Sequence, residues 1–108
     1  MQQKGSGLIN IVIISGRLAT LPELKKTPEG KTIVTAMLAV ERKGVSEKVD
    51  YITVTANEEA VANFFYKHFI KGQWILVKGT LQVNIVFDKR GYKHGVHEVI
   101  AEELSYCS

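Results

Sequence analysis

The spacing of apolar and polar residues divides the chain into short β-strands and one helix. Residues 8–18 are rich in Ile and Val and contain a Gly-Arg pair, which predicts a strand that bends or bulges at Gly16. Residues 32–41 form a second apolar run. Residues 51–56 then alternate between apolar and polar side chains, so this third strand has an apolar face and a polar face.

One helical pattern and two further strands follow. Asn57 is a predicted N-cap, and Gly72 is the predicted stop. Between them, apolar residues recur at helical spacing at Val61, Phe64, Phe65 and Phe69. Residues 73–87 alternate again, with the odd positions apolar, which predicts a long strand that packs its odd face on the core and curves at Gly79. Residues 96–104 give the last strand.

Turn residues connect these elements. Pro22 and Pro28 lack an amide hydrogen, and residues 27–30 (TPEG) have the chemistry of a tight turn, so residues between the first two strands are predicted to be loop and hairpin. Residues 88–91 (DKRG) form a second turn. The order is β-β-β-α-β-β, which predicts an all-β fold with one helix: the OB-fold, a five-stranded Greek-key barrel that commonly binds oligonucleotides.

Composition is consistent with one globular domain. The chain has 108 residues, of which 45% are hydrophobic and 23% charged, so we assign residues 1–108 to one domain with flexible ends at 1–7 and 105–108. Fourteen Lys and Arg against eleven Asp and Glu give a net charge of +3, which suits a polyanionic partner but is common among unrelated proteins. No signal peptide or membrane span is visible, which predicts a cytoplasmic protein.

Candidate catalytic chemistry is sparse. His68, His94 and His97 lack the spacing and carboxylate partners of a metal or acid-base site, and no nucleophile motif or phosphate-binding glycine loop is present. The single Cys107 cannot form an internal disulfide or a Cys-rich zinc site. We therefore predict a protein that is not an enzyme and that has no metal and no cofactor.

Seven segments together indicate a family. They are INIVIISGRL, PELKKTPEGK, MLAVER, DYITV, EAVANFF, KGQWILVKGTL and HEVIAEEL. Their order and spacing over residues 8–104 resemble those of bacterial and phage single-stranded-DNA-binding proteins. The resemblance implies an OB-fold and sequence-independent binding of single-stranded DNA, which it protects and organises during replication, recombination or repair.

The resemblance also implies a platform of aromatic residues on which unstacked bases lie. Tyr51 matches the family's ring at the start of the third strand, and Thr53 shares its polar face. Where the family has other rings, this chain has Gly44, Asn57 and Val86. Phe87, next to Val86, falls on the core face by alternation and would point outward only at a bulge. Tyr92 is a further candidate, and we expect weaker or more salt-sensitive binding than in relatives with more rings.

Basic residues would contact the phosphates. They cluster near predicted loops and strand ends, which suits an electrostatic groove. The predicted cationic contacts are Arg17, Lys25, Lys26, Arg42, Lys43, Lys71, Lys78, Lys89, Arg90 and Lys93.

Subunit contacts are predicted on a separate face. Trp74 and Leu76 fall on the outward side of the fourth strand, where an exposed apolar pair is typical of a subunit interface. The resemblance implies a homotetramer in which the first strands pair across a dimer, which would place Ile9 and Ile11 in an interface; a dimer is the alternative.

Many family members continue into a flexible linker and an acidic tip that recruits other proteins. This chain ends at SYCS, so it resembles a tail-less variant of the kind carried by phages and mobile elements, and recruitment through such a tip is not expected. Replication or recombination proteins remain possible partners, and no membrane partner is predicted. The alternative function is an OB-fold interaction subunit of a replication or primosome complex with weak affinity for DNA.

Overall fold

The computed structural model describes residues 7–45 and 47–107, which form a β-barrel with one helix. Its elements are β1 (Val12–Leu18), β2 (Glu23–Lys26), β3 (Thr32–Glu41), β4 (Val49–Ala56), α1 (Glu59–His68), β5 (Trp74–Phe87) and β6 (Lys93–Tyr106). Five strands close a ring in the order β1-β5-β6-β4-β3, and β2 lies outside it on the edge of β3. The pairing of β4 with β6 is parallel, and the other pairings are antiparallel. The predicted OB-fold is confirmed.

The ring closes where β1 changes its partner. Residues Val12–Arg17 pair with β5. Arg17 pairs with β3 on its other side, and Leu18 pairs with β3 alone. A Cβ on Gly16 would overlap the carbonyl oxygen of Ala39, so only glycine allows the two backbones to approach this closely. The register of β1 on β5 runs through Gly16 without a shift. The bulge considered for Gly16 is therefore absent, and close packing explains the glycine.

The predicted curve at Gly79 is confirmed. The register of β5 on β6 shifts between Lys78 and Gly79, as expected of a β-bulge. A Cβ at this position would overlap the backbone carbonyl of Ile100. The absence of a side chain therefore lets β5 bend around the barrel while it stays paired with β6.

The core fills the ring, and α1 packs on β3, β4 and β6. The largest fully buried side chains are Phe65, Phe69, Leu18, Leu38, Ile75, Val34, Val54, Val77 and Val99. Phe65 and Phe69 pack edge to face with centroids 5.9 Å apart, as aromatic pairs prefer. The prediction of Asn57 as N-cap is wrong: Glu58 occupies that position, and its side chain makes no capping hydrogen bond.

Strand β2 was not predicted. The two prolines and the turn at residues 27–30 predict loop here, and the segment ELKK, which is exposed throughout, has no alternation of apolar and polar residues that would indicate a strand. Its pairing with Thr32–Thr35 of β3 comes from the predicted turn at residues 27–30. There the amide of Gly30 donates to the carbonyl of Thr27 at 2.8 Å, and Gly30 has a φ of +88°, which favours glycine.

The last strand is longer than predicted at both ends. Ser105 and Tyr106 pair with Leu76 and Ile75, and the Tyr106 ring stacks on Phe69 with centroids 4.7 Å apart. Ser105 and Tyr106, which were expected to belong to a flexible end, are therefore part of β6. The same expectation for residues 1–6 and 108 lies outside the described residues.

Residues 81–97, here called the arm, extend the β5–β6 hairpin beyond the ring. The pairing of β1 with β5 ends at Gly79, and past it β6 is the only strand paired with β5 in the described chain. The odd positions Leu81, Val83 and Ile85 were predicted to lie on the core, but they are exposed. Alternation identified the correct side of the strand, but it could not show that no core lies beneath that side.

Candidate nucleic-acid interface

The outward side chains of β3 and β4 form an open, mostly neutral surface, here called the outer face. Tyr51 lies opposite Ala39, and Thr53 lies opposite Met37 in the antiparallel register. Tyr51 is 64% exposed, so most of its side chain is accessible to solvent. The structure therefore places Tyr51 and Thr53 together on the polar face, as the alternation predicted.

A hydrogen-bonded network continues this face across β6 and β5. The Thr55 hydroxyl donates to Glu98 Oε2 at 2.7 Å and lies 3.2 Å from the Thr35 hydroxyl. The Asn84 amide donates to the other carboxylate oxygen of Glu98. Glu98 thus joins three strands, and its negative charge in the middle of the face disfavours phosphates there. Glu98 is not among the residues predicted from the sequence, although its even position on the last strand predicts an outward side chain.

The arm has two different faces. Val86 pairs with His94 on the even face, which continues the outer face. Phe87 pairs with Lys93 on the odd face with Ile85, as alternation predicted. Phe87 is nevertheless 64% exposed, because the arm has left the barrel. A base stacked on Tyr51 and a base stacked on Phe87 would therefore lie on opposite faces of the hairpin.

Three predicted cations meet at the tip of the arm. Lys89 and Arg90 lie in the turn and Lys93 begins β6, and within residues 7–45 and 47–107 none of the three forms an ion pair. Tyr92 in the same turn is exposed. The tip is thus a cationic cluster with one ring beside it.

Asp88 shapes this turn. Its Oδ1 accepts hydrogen bonds from the amides of Arg90 at 2.8 Å and Tyr92 at 3.0 Å, and its Oδ2 lies 2.9 Å from His94 Nε2. The hydrogen bond with His94, followed by that from the Tyr92 amide, lowers the pKa of Asp88. Gly91 has a φ of +87° and completes the predicted turn at residues 88–91.

The loop between β3 and β4 carries a second group of charges. Arg42 is engaged by Asp50, with Nη2 at 2.6 Å from Oδ1 and Nε at 3.3 Å from Oδ2, whereas Lys43 is exposed. The hydrogen bond from Arg42 lowers the pKa of Asp50. Gly44 has a φ of +78°, a conformation that an aromatic side chain rarely adopts. This loop backbone therefore explains why no ring stands at the family's position.

Asp50→Asn is expected to release Arg42 for phosphate contact. The carboxylate that now neutralises the guanidinium is lost, while the amide keeps the size of the side chain. One additional phosphate contact on a single strand steepens the slope of log K against log salt concentration by about 0.7. Titrations of labelled oligo-dT at several salt concentrations measure this slope, and an unchanged slope would show that Arg42 does not reach the DNA.

The remaining predicted cations lie elsewhere. Lys25 pairs with Glu23 at 3.6 Å on β2, and Lys26 Nζ donates to the Thr32 hydroxyl at 2.8 Å. Lys78 lies on β5 opposite Ile13 and contacts Glu103 at 3.7 Å, and Lys71 precedes β5 in an exposed turn. The structure does not gather these four lysines around Tyr51.

Two residues predicted for different roles lie together. Arg17, assigned to DNA, has its Cζ atom 5.0 Å from the ring centroid of Trp74, assigned to a subunit contact. Leu76 is half-buried on the same outward side of β5. Ile9 and Ile11 precede β1 and are exposed.

No helix in the described part of the chain is long and apolar enough to cross a membrane. No cluster of three or more His, Cys, Asp or Glu in the same part of the chain is placed to hold a metal ion.

The fold defines the class of protein, and sequence comparison defines the family. A solved structure described as Plasmodium falciparum SSB complex with ssDNA superposes with a TM-score of 0.82 over the whole of both chains at 19% identity, which shows the fold. The profile of the single-strand binding protein family matches residues 9–107. The chain therefore belongs to this family. Because the family is defined by binding, the prediction that the chain is not an enzyme is confirmed.

Bacterial relatives agree with this assignment. The chain is 32% identical to single-stranded DNA-binding protein A of Bacillus subtilis over 106 residues, which are 92% of this chain and 59% of that protein. It is 34% identical to the single-stranded DNA-binding protein of Clostridium tetani, covering 91% of this chain and 70% of that protein. The chain thus spans about three fifths to seven tenths of the length of these relatives.

Proposed function

We propose that this chain binds single-stranded DNA without sequence specificity and protects and organises it during replication, recombination or repair. The observation that carries the proposal is Tyr51, an exposed ring on the polar outer face of an OB barrel. Cationic groups at the arm tip and in the β3–β4 loop supply the charge that a single strand requires. Relatives that carry the name of single-stranded DNA-binding protein support the same function.

The chemistry of the face explains how binding proceeds without readout of sequence. Tyr51 offers a π-face on which any base can stack, and Lys89, Arg90 and Lys43 offer positive charge to the phosphates. The Glu98 carboxylate holds β4 against the arm through Thr55 and Asn84. Because few rings contribute, phosphate contacts supply a large share of the affinity, and binding is expected to fall steeply with salt.

Self-association through β1 is part of the proposal. From Val12 to Gly16, the side of β1 away from β5 has no partner strand in the described chain, and such an edge is a template for pairing with another chain. Ile9, Ile11 and Ile13 expose apolar surface beside it. A second copy covers both features if its own β1 pairs there, which gives a dimer, and Leu76 extends this surface toward a homotetramer. Light scattering of the purified protein tests the assembly.

A direct test measures fluorescence anisotropy of labelled oligo-dT at low and near-physiological salt, with a duplex of equal length as control. Preference for the single strand with a strong salt dependence is the expected result.

The alternative function, an interaction subunit of a replication or primosome complex, is favoured by the exposed apolar odd face of the arm at Leu81, Val83, Ile85 and Phe87. A folded oligomer that binds neither the single strand nor the duplex would favour that alternative. In either role, we place the protein in the cytoplasm.

A further inference from the structure

Trp74 and Arg17 form a second site in which a ring and a cation face the same solvent. The two residues are direct neighbours in the antiparallel register of β5 and β1, and the guanidinium lies over the indole at 5.0 Å. Trp74 remains 41% exposed, and Arg17 is exposed beside it. This cation–π contact fixes the orientation of both groups without burying either of them.

This pair lies in one row with Tyr51. Arg17 pairs with Ala39 of β3 on its other side, and Ala39 pairs with Tyr51 of β4. The row therefore crosses four strands in the order Trp74, Arg17, Ala39 and Tyr51. At about 4.8 Å between neighbouring strands, the two ring-bearing residues stand roughly 14 Å apart. That distance is long enough for different nucleotides to occupy the two rings, and the small Ala39 leaves the path between them open.

The chemistry of the pair suits a nucleic acid better than an apolar subunit. Arg17 forms no ion pair among the described residues, so an apolar partner would bury an uncompensated charge, which is costly. A nucleotide offers a flat base to the indole and a phosphate to the guanidinium. Glu41 and Val49 line the same depression beside the pair, and the negative Glu41 carboxylate disfavours a phosphate on its own side of the depression.

We infer that Trp74 and Arg17 are a second stacking contact for single-stranded nucleic acid, which extends the path from Tyr51 across β3 and β1. The inference rests on the proposed function and names a further part of its binding surface. It also explains how a chain without rings at Gly44, Asn57 and Val86 retains two aromatic contacts. Trp74 then lies outside the subunit contact assigned to it from the sequence, whereas Ile13 and Leu76 remain available for that contact.

The experiment uses the intrinsic fluorescence of Trp74, the only tryptophan in the chain. Oligo-dT is titrated into the protein while anisotropy of a label on the DNA reports binding and tryptophan emission reports stacking. An oligomer of abasic deoxyribose phosphates, with the same backbone charge and no bases, is the matched ligand. We expect quenching with oligo-dT and none with the abasic oligomer at equal saturation. Binding of oligo-dT without quenching would overturn the inference and leave the proposed function intact.

Three variants separate stacking from apolar contact. Trp74→Leu keeps apolar surface without a ring and is expected to weaken binding roughly 5- to 100-fold. Trp74→Phe keeps a ring and is expected to recover most of that loss. Tyr66→Leu removes a ring from α1 that is 50% exposed, slightly more than Trp74, and is expected to change neither binding nor quenching. If Trp74→Leu binds normally but reduces the oligomeric mass in light scattering, the subunit contact is correct and the inference is overturned. If the wild type binds no single strand, the proposed function fails, and the inference fails with it.

Discussion

Replacing Gly79 by alanine is expected to lower the free energy of unfolding by about 3 kcal/mol, because the new methyl group has no room. The added Cβ would overlap the carbonyl oxygen of Ile100 and press on the carbonyl carbon and on Ala101 Cα. All three atoms belong to the backbone of β6, so no side chain can move aside. The paired strands must separate at the bulge between Lys78 and Gly79, the point where β5 bends around the barrel.

Thermal unfolding followed by circular dichroism measures this effect, and the midpoint is expected to fall by roughly 10–20 °C for a domain of this size. Gly95→Ala is the matched control, since Gly95 lies in the same hairpin and its Cβ would meet only the side chain of Val83, at 3.3 Å. Equal midpoints for the two variants would contradict the packing argument. A loss of oligo-dT binding by Gly79→Ala would be interpreted only at temperatures where the variant is folded.

The fold could be predicted from the sequence where local chemistry decides the structure. The turns at residues 27–30 and 88–91 each contain a glycine with positive φ, and such turns are recognisable from residue type alone. The ring strands carry enough β-branched residues to be seen without knowledge of their partners. Strand β2 contains neither a turn glycine nor β-branched residues, and it forms because the turn holds its backbone against β3. Its existence is a consequence of pairing, which a single segment does not encode.

The arm shows a second limit of sequence patterns. Its odd positions carry Leu81, Val83, Ile85 and Phe87, the same residue types that fill the core at Ile75 and Val77. Whether an apolar side is buried depends on where the pairing with β1 ends, and that end lies at Gly79. The odd face of the arm is therefore exposed although its sequence pattern predicts a buried face. This exposed apolar surface is the feature that favours the interaction-subunit alternative.

The candidate site divides in the same way. Tyr51 and Thr53 could be found because alternation within one strand puts them on a polar face. The ion pair of Arg42 with Asp50 also joins residues close in the chain, although its geometry required the structure. The contact of Arg17 with Trp74 and the bonds made by Glu98 depend on register between strands that are distant in the sequence. Residue type suggested cations and rings, and only the register showed which of them meet.

Tyr51→Ala is expected to weaken binding of oligo-dT by about 1–3 kcal/mol, which is roughly 5- to 100-fold. Most of the Tyr51 side chain is exposed, so the variant is expected to fold with an unchanged unfolding midpoint. Tyr51→Phe keeps the stacking surface without the hydroxyl and is expected to bind within a few-fold of the wild type. Anisotropy titrations of the three proteins under identical salt conditions make the comparison.

The salt dependence distinguishes the loss of a ring from the loss of a charge. Removing Tyr51 is expected to lower the affinity by the same factor at every salt concentration, because stacking releases no counterions. Lys89→Ala, in contrast, is expected to make the slope of log K against log salt concentration shallower by about 0.7, since one phosphate contact is lost. A Tyr51→Ala variant with a changed slope would mean that the ring positions cations instead of holding a base. Unchanged affinity of Tyr51→Ala would show that the DNA does not pass over β4, and Tyr51 would then not be a DNA contact.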